Sequence, residues 1–118
     1  MDDAQLTRLV AAFYAKIRQD PDLGPVFNDI ITDWDHHLKL LADFWSSVML
    51  TSGRYKGNPM AAHLRHRDQL TPARFERWLA LWQETAHEVL SPDDAAAVRA
   101  TAGRIARSLQ MGIQYIAA

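Results

Sequence analysis

Along almost the whole chain, apolar residues return every three or four positions and no stretch alternates with the two-residue period of a strand, so packed helices are expected. Leu6, Leu9, Val10, Phe13 and Ile17 keep this spacing over roughly residues 4 to 20, and Pro21 lies just past the end. A short helical piece from Pro25 to about Ile30 is too brief to stand alone and must be packed. The next helix is expected to begin at Thr32, with its hydroxyl as cap and Asp35 three residues on, and to run to Thr51 before Gly53. Gly53-Arg54-Tyr55-Lys56-Gly57-Asn58-Pro59 reads as a loop leading into a short helix from Pro59 to about His66. Thr71-Pro72 and Ser91-Pro92 repeat one start signal, a capping hydroxyl followed by a proline that needs no amide partner. Two long helices follow them. Phe75, Trp78, Leu79, Trp82, Ala86 and Val89 share one face of the first, and Val98, Ala102, Ile105, Leu109, Ile113 and Ile116 one face of the second. The expected class is therefore all-α, five helices and a short connector. With 118 residues and neither repeat nor linker, one domain over residues 1–118 is expected.

Charge and cysteine usage narrow the chemistry. A formal net charge of −1 gives no basic excess for nucleic acid or an anionic membrane, so neither is an expected partner. Without cysteine there is no disulfide, no thiolate zinc site and no covalent CXXCH haem attachment, and any metal must take nitrogen or oxygen ligands. The start MDDAQLTRLV lacks the basic and apolar regions of a signal peptide, and no apolar run reaches membrane-span length; a cytoplasmic location is expected.

Histidine thus becomes the ligand to place. His36 and His37 stand about 100° apart on a helix, so only one can face a given pocket. His37 shares its face with Leu41, Phe44 and Val48 and is the inward one, while His36 groups with Lys39 and Asp43. Glu84 and His87 form a Glu-x-x-His step that projects away from the Trp78/Trp82 stripe, toward solvent. His63 and His66 lie one turn apart on the short helix. As a His-x-x-His pair they lack an evident third ligand, and spacing alone does not choose between them. Tyr14, beside Phe13, and Trp78, centred on its stripe, carry polar groups that need partners if buried. A bound ligand and ordinary core packing both satisfy that requirement.

Five segments taken in order resemble a family. They are Phe13-Tyr14-Ala15-Lys16-Ile17-Arg18 with Asp22-Leu23-Gly24-Pro25-Val26-Phe27, the stretch Trp34 to Phe44-Trp45, Tyr55-Lys56-Gly57-Asn58-Pro59 leading to His63-Leu64, and Phe75-Glu76-Arg77-Trp78-Leu79. The chain is identified by them as similar to the group III truncated haemoglobins, globins with a two-over-two helical sandwich around haem. Paired glycines typical of the other truncated groups are absent, as in group III. By position, the resemblance implies His63 as the proximal iron ligand, with Tyr14, His37 and Trp78 on the distal side. Phe13, Phe27, Leu41, Phe44, Trp45, Leu64 and Trp82 are expected as apolar lining from their periodicity, with the family in second place. Arg65, Arg67 and Arg54 are candidates for the haem propionates. His66, in the polar run after His63, stays open as an alternative ligand.

What the resemblance implies is a non-covalent haem b protein that reversibly binds and carries O2, with CO and NO as further ligands, and with Tyr14 and Trp78 donating hydrogen bonds to the bound gas. A monomer or weak homodimer is expected. Two alternatives stand beside this reading. One is a haem enzyme performing NO dioxygenation or peroxidase-like oxidation, which needs an external reductase because no nicotinamide or flavin fingerprint is present. The other is a haem-free helical interaction protein whose tryptophans are only core.

Overall fold

A computed structural model describes residues 1–117, with side chains described through residue 114; the expectation for Ile116 lies outside the described side chains. Six helices follow one another: α1 Asp3–Gln19, α2 Leu23–Ile30, α3 Trp34–Leu50, α4 Pro59–Leu64, α5 Pro72–Val89 and α6 Pro92–Ala117. There is no strand among the described residues, and the class is all-α as expected. No helix is long and apolar enough to cross a membrane among the described residues.

Local chemistry accounts for most of the boundaries. Asp2 and Gln5 form a reciprocal cap on α1, with Asp2 Oδ1 accepting from the Gln5 amide at 2.8 Å and Gln5 Oε1 from the Asp2 amide at 2.9 Å. Thr71 caps α5 and Ser91 caps α6, each by accepting from the amide three residues on. Two starts differ from expectation. The third helix is capped by Asp33, whose carboxylate accepts from His36 N at 3.1 Å, because a charged acceptor suits the positive end of the helix dipole better than the hydroxyl of Thr32. The connector is a full helix from Leu23, since the Asp20 carboxylate accepts from the amides of Leu23 (2.9 Å) and Asp22 (3.2 Å). Pro25 then falls in the first turn, where its missing amide costs nothing. The short helix ends at Leu64, and His66 and Gln69 continue as tight turns bonded back to His63 and His66.

Packing follows the apolar stripes. Helix α1 lies against both α3 and α5, and α5 against α6, which sets the α1/α3 pair over the α5/α6 pair. At their crossing Phe13 has no exposed surface and meets Trp78 and Trp82 edge-on at 5.1 and 5.0 Å. Trp82 stacks on Trp45 at 4.4 Å and on Trp78 at 5.6 Å, and its indole N–H donates to Val98 O on α6. Each aromatic pair contributes about 0.5–1.5 kcal/mol beyond area burial, so this web fixes where α1, α3 and α5 sit. Helices α1 and α2 approach so closely that a Cβ on Gly24 would stand 2.8 Å from the Arg18 carbonyl oxygen.

Candidate functional site

Between the two helix pairs lies a cavity of about 310 Å³. Helix α2 supplies Leu23, Val26 and Phe27 to its walls, α3 supplies Leu41, Phe44 and Trp45, and Phe75, Ile105 and Leu109 come from the last two helices. Polar groups are few: Tyr14, His37 and Trp78 on one side, and Tyr55, His63 and Arg74 elsewhere. An apolar slot with a few convergent polar groups is the usual form of a site for a small organic ligand or cofactor.

His63 has a fixed tautomer. Its Nδ1 lies 2.7 Å from the carbonyl oxygen of Pro59, one turn back on α4. A carbonyl can only accept, so Nδ1 carries the proton and Nε2 keeps its lone pair. Burial holds the imidazole below its ordinary pKa, outweighing the opposing bond to Pro59, and nearby His66 adds to the depression. At neutral pH the ring is thus an uncharged nitrogen ligand, oriented by its second nitrogen as metal-bound histidines are.

Tyr14, also on the wall, is buried at 5 % exposure, and burial pushes its phenol far up against the weaker opposing effect of the Trp78 indole. It stays protonated and remains a donor. The Tyr14 ring meets Phe13 at 4.8 Å, Phe27 at 5.9 Å and His37 at 5.8 Å, which leaves its plane little freedom. His37 is half-buried, packed edge-on against Tyr14 and Trp34, and held below its ordinary pKa by burial first, then by His36 and His63. The imidazoles of His37 and His63 both line the cavity, whereas His36 and His87 are exposed and Glu84 pairs with Lys16 at 3.1 Å.

The donor set can be tested against haem. No group of three or more His, Cys, Asp or Glu that could hold a metal ion occurs among the described residues. One lone-pair imidazole in an apolar slot suits a metal that brings its other ligands in a flat apolar ring, with donors facing it from across the cavity. These residues fit haem.

The structure brings together Tyr14, Phe27, His37, Leu41, Phe44, Trp45, His63 and Trp78 on the cavity wall. It does not bring six other candidates there. Phe13 and Trp82 lie in the core behind Tyr14 and Trp78, because the same stripe that faces the cavity at one turn faces the neighbouring helix at the next. Leu64 is off the wall, Arg65 is exposed, and Arg67 turns back to donate to Leu64 O at 3.0 Å. Arg54 is taken by Asp3 at 3.1 Å. Instead the wall's cation is Arg74, held by Asp22 Oδ1 and, at 2.7 Å, by Gln69 O. Sequence reasoning missed it, although Arg74 stands four residues before Trp78 and so on its face. Tyr55, whose ring meets Phe44 at 5.2 Å, lies in a loop without periodicity and gave no signal.

No family model matches the chain. It is 32% identical to the group 3 truncated hemoglobin ctb of Campylobacter jejuni over 117 residues, spanning 93% of this chain and 89% of that protein. The crystal structure of a group III truncated hemoglobin from Campylobacter jejuni matches it with a TM-score of 0.86 at 32% identity, covering 96% of this chain and 91% of that one.

Proposed function

The chain belongs to the group III truncated haemoglobins, the all-α haem globins that bind gas ligands, and on that premise we propose that its single domain holds haem b through His63 and binds O2 reversibly under Tyr14 and Trp78. The observation that carries this reading is the pairing of a lone-pair imidazole with a protonated, immobile phenol at one apolar cavity. Haem, when bound, would supply an iron with an open coordination position for a diatomic gas. Everything else is the work of this chain's own residues. His63 offers Nε2 and keeps it aimed through Pro59. Phe27, Leu41, Phe44 and Trp45 exclude water, so that hydrogen bonds inside the slot are stronger than in solution. Tyr14 keeps its phenolic proton at the cavity wall with the Trp78 indole N–H beside it, and a hydrogen bond from either to a polarised diatomic would be worth about 1 kcal/mol, or roughly a fivefold slower release.

Stopped-flow measurement of O2 dissociation tests the assignment. Tyr14→Phe and Trp78→Leu are each expected to speed release about fivefold, while an unchanged off-rate in both would contradict the reading. The edge-on contact between His37 and Tyr14 favours a second one. An imidazole beside the bound gas can accept or hand over a proton, as NO dioxygenation or peroxide chemistry would use. Turnover with NO or peroxide that falls in His37→Leu separates catalysis from carriage.

A further inference from the structure

No acidic residue stands between Asp43 and Asp68, yet four of the thirteen Lys and Arg of the chain do: Arg54, Lys56, Arg65 and Arg67. With none of the fourteen Asp and Glu in that span, the remainder of the chain carries a formal charge of −5. The two turns that flank α4 thus form a basic stretch in an otherwise acidic chain. Of the nine cations elsewhere four are paired with carboxylates, Lys16 with Glu84 and Glu88, Lys39 with Asp43, Arg74 with Asp22 and Arg77 with Asp20. Lys56, Arg65 and Arg67 are exposed and take part in no ion pair among the described residues. Exposed charges of one sign gathered in a stretch without a single acidic residue are a steering feature and add little to stability.

Their position supplies the second half of the argument. The two turns bracket the helix that carries His63 and orients its ring through Pro59. A protein docked on them lies next to the short helix that carries the proposed iron ligand. We infer that these turns form the docking site for an acidic one-electron carrier protein that reduces the haem iron; this rests on the haem reading above. One electron leaves the reduced carrier, the iron passes from ferric to ferrous, and no bond or proton is exchanged in the step. A protein is the fitting partner. A long polyanion such as nucleic acid would extend past the turns onto the remainder with its charge of −5, whereas a compact protein can present one acidic face to them, and of the large apolar side chains exposed among the described residues, Leu40, Val48 and Met111, none lies in these turns to anchor them in a bilayer.

Haem-loaded ferric protein is mixed in stopped flow with a photoreduced plant-type [2Fe–2S] ferredoxin, chosen as an acidic one-electron probe, at 20 and 300 mM NaCl. The expected rate is at least tenfold higher at low salt, falling as screening shortens the range of attraction. Lys56→Gln/Arg65→Gln/Arg67→Gln should lose most of that advantage, while Arg107→Gln on α6 and reduction of every variant by dithionite should be unaffected. A salt-independent rate, an equal loss in Arg107→Gln, or a triple variant that no longer takes up haem would each overturn the docking site. Wild-type protein that gives no Soret band on adding haemin overturns the haem reading instead. Co-sedimentation with phosphatidylserine vesicles that the triple variant abolishes, without salt-dependent electron transfer, would make the patch a membrane contact and also refute the proposal.

Discussion

On the distal side, Tyr14 and Trp78 are held from behind by Phe13 and Trp82, neither with any exposed surface, whereas His63 stands on a six-residue helix in which no residue is buried. The first arrangement is part of the hydrophobic core. A helix as short as the second has no stability of its own, and it is placed by the Asn58 cap and by Met60 lying over Gly112 of α6. The proposed donors are thus set by the core itself, whereas the His63 ring is oriented by its own short helix, through the Pro59 carbonyl. Precision on the first side depends on the whole core; on the second it depends on the Asn58 cap and one hydrogen bond.

Substitutions on the two sides separate them. Phe13→Ala should lower the unfolding free energy of the haem-free protein by about 3–5 kcal/mol, because three rings lose a shared contact. Leu64→Ala on α4 should cost less than about 1 kcal/mol. Equal losses in urea titrations would erase the contrast. Gly24→Ala probes the seam that holds α2, and with it Phe27, against α1. Its Cβ meets backbone that cannot give cheaply, so a loss of about 1–3 kcal/mol is expected in thermal melts; an unshifted Tm would mean that the seam is slack.

Asp20 fastens the same seam and adds a pH dependence. The Leu23 amide first, and then Arg77 and the Asp22 amide, hold its carboxyl below the usual range against the opposing effect of burial. The folded chain then binds this proton less readily than the unfolded one. The stabilisation is fully present above the ordinary carboxylate pKa of about 3.9 and is lost as the pH falls through the depressed value. Asp20→Asn should therefore cost about 1.5 kcal/mol at neutral pH and show a flatter acid limb than wild type. Parallel acid limbs would remove Asp20 from the account. The smallest effect belongs to Arg18, whose guanidinium lies 4.6 Å over the Trp34 ring beside His37. A double-mutant cycle of Arg18→Gln and Trp34→Ala should return a coupling of about 0.5–1 kcal/mol, and a coupling of zero would leave Trp34 held by packing alone.

The same contrast governs how much was legible beforehand. Helix identities, the inward turn of His37 over His36 and the Thr71 and Ser91 caps follow from period and local chemistry, which act within a few residues. Phe13 and Trp82 read as lining because a helical stripe says which face is buried and not against what. Arg65, Arg67 and Arg54 stand near His63 in sequence, which is no measure of nearness in space. Arg74 reaches the wall through Asp22, fifty-two positions away, a pairing that no local rule foretells. Tyr55 lies in a loop whose path is set by the Ser47 hydroxyl accepting its amide, another contact invisible to periodicity.

The central claim is that His63 is the nitrogen that holds haem, and a haemin titration followed at the Soret band tests it most directly. Wild type and His66→Ala should each bind one haemin with indistinguishable spectra. His63→Ala should lose affinity by more than the ~10–100-fold typical of removing only an outer partner of a ligating histidine, and its band should shift. A His63→Ala variant that titrates like wild type, with His66→Ala showing the loss, would contradict the account.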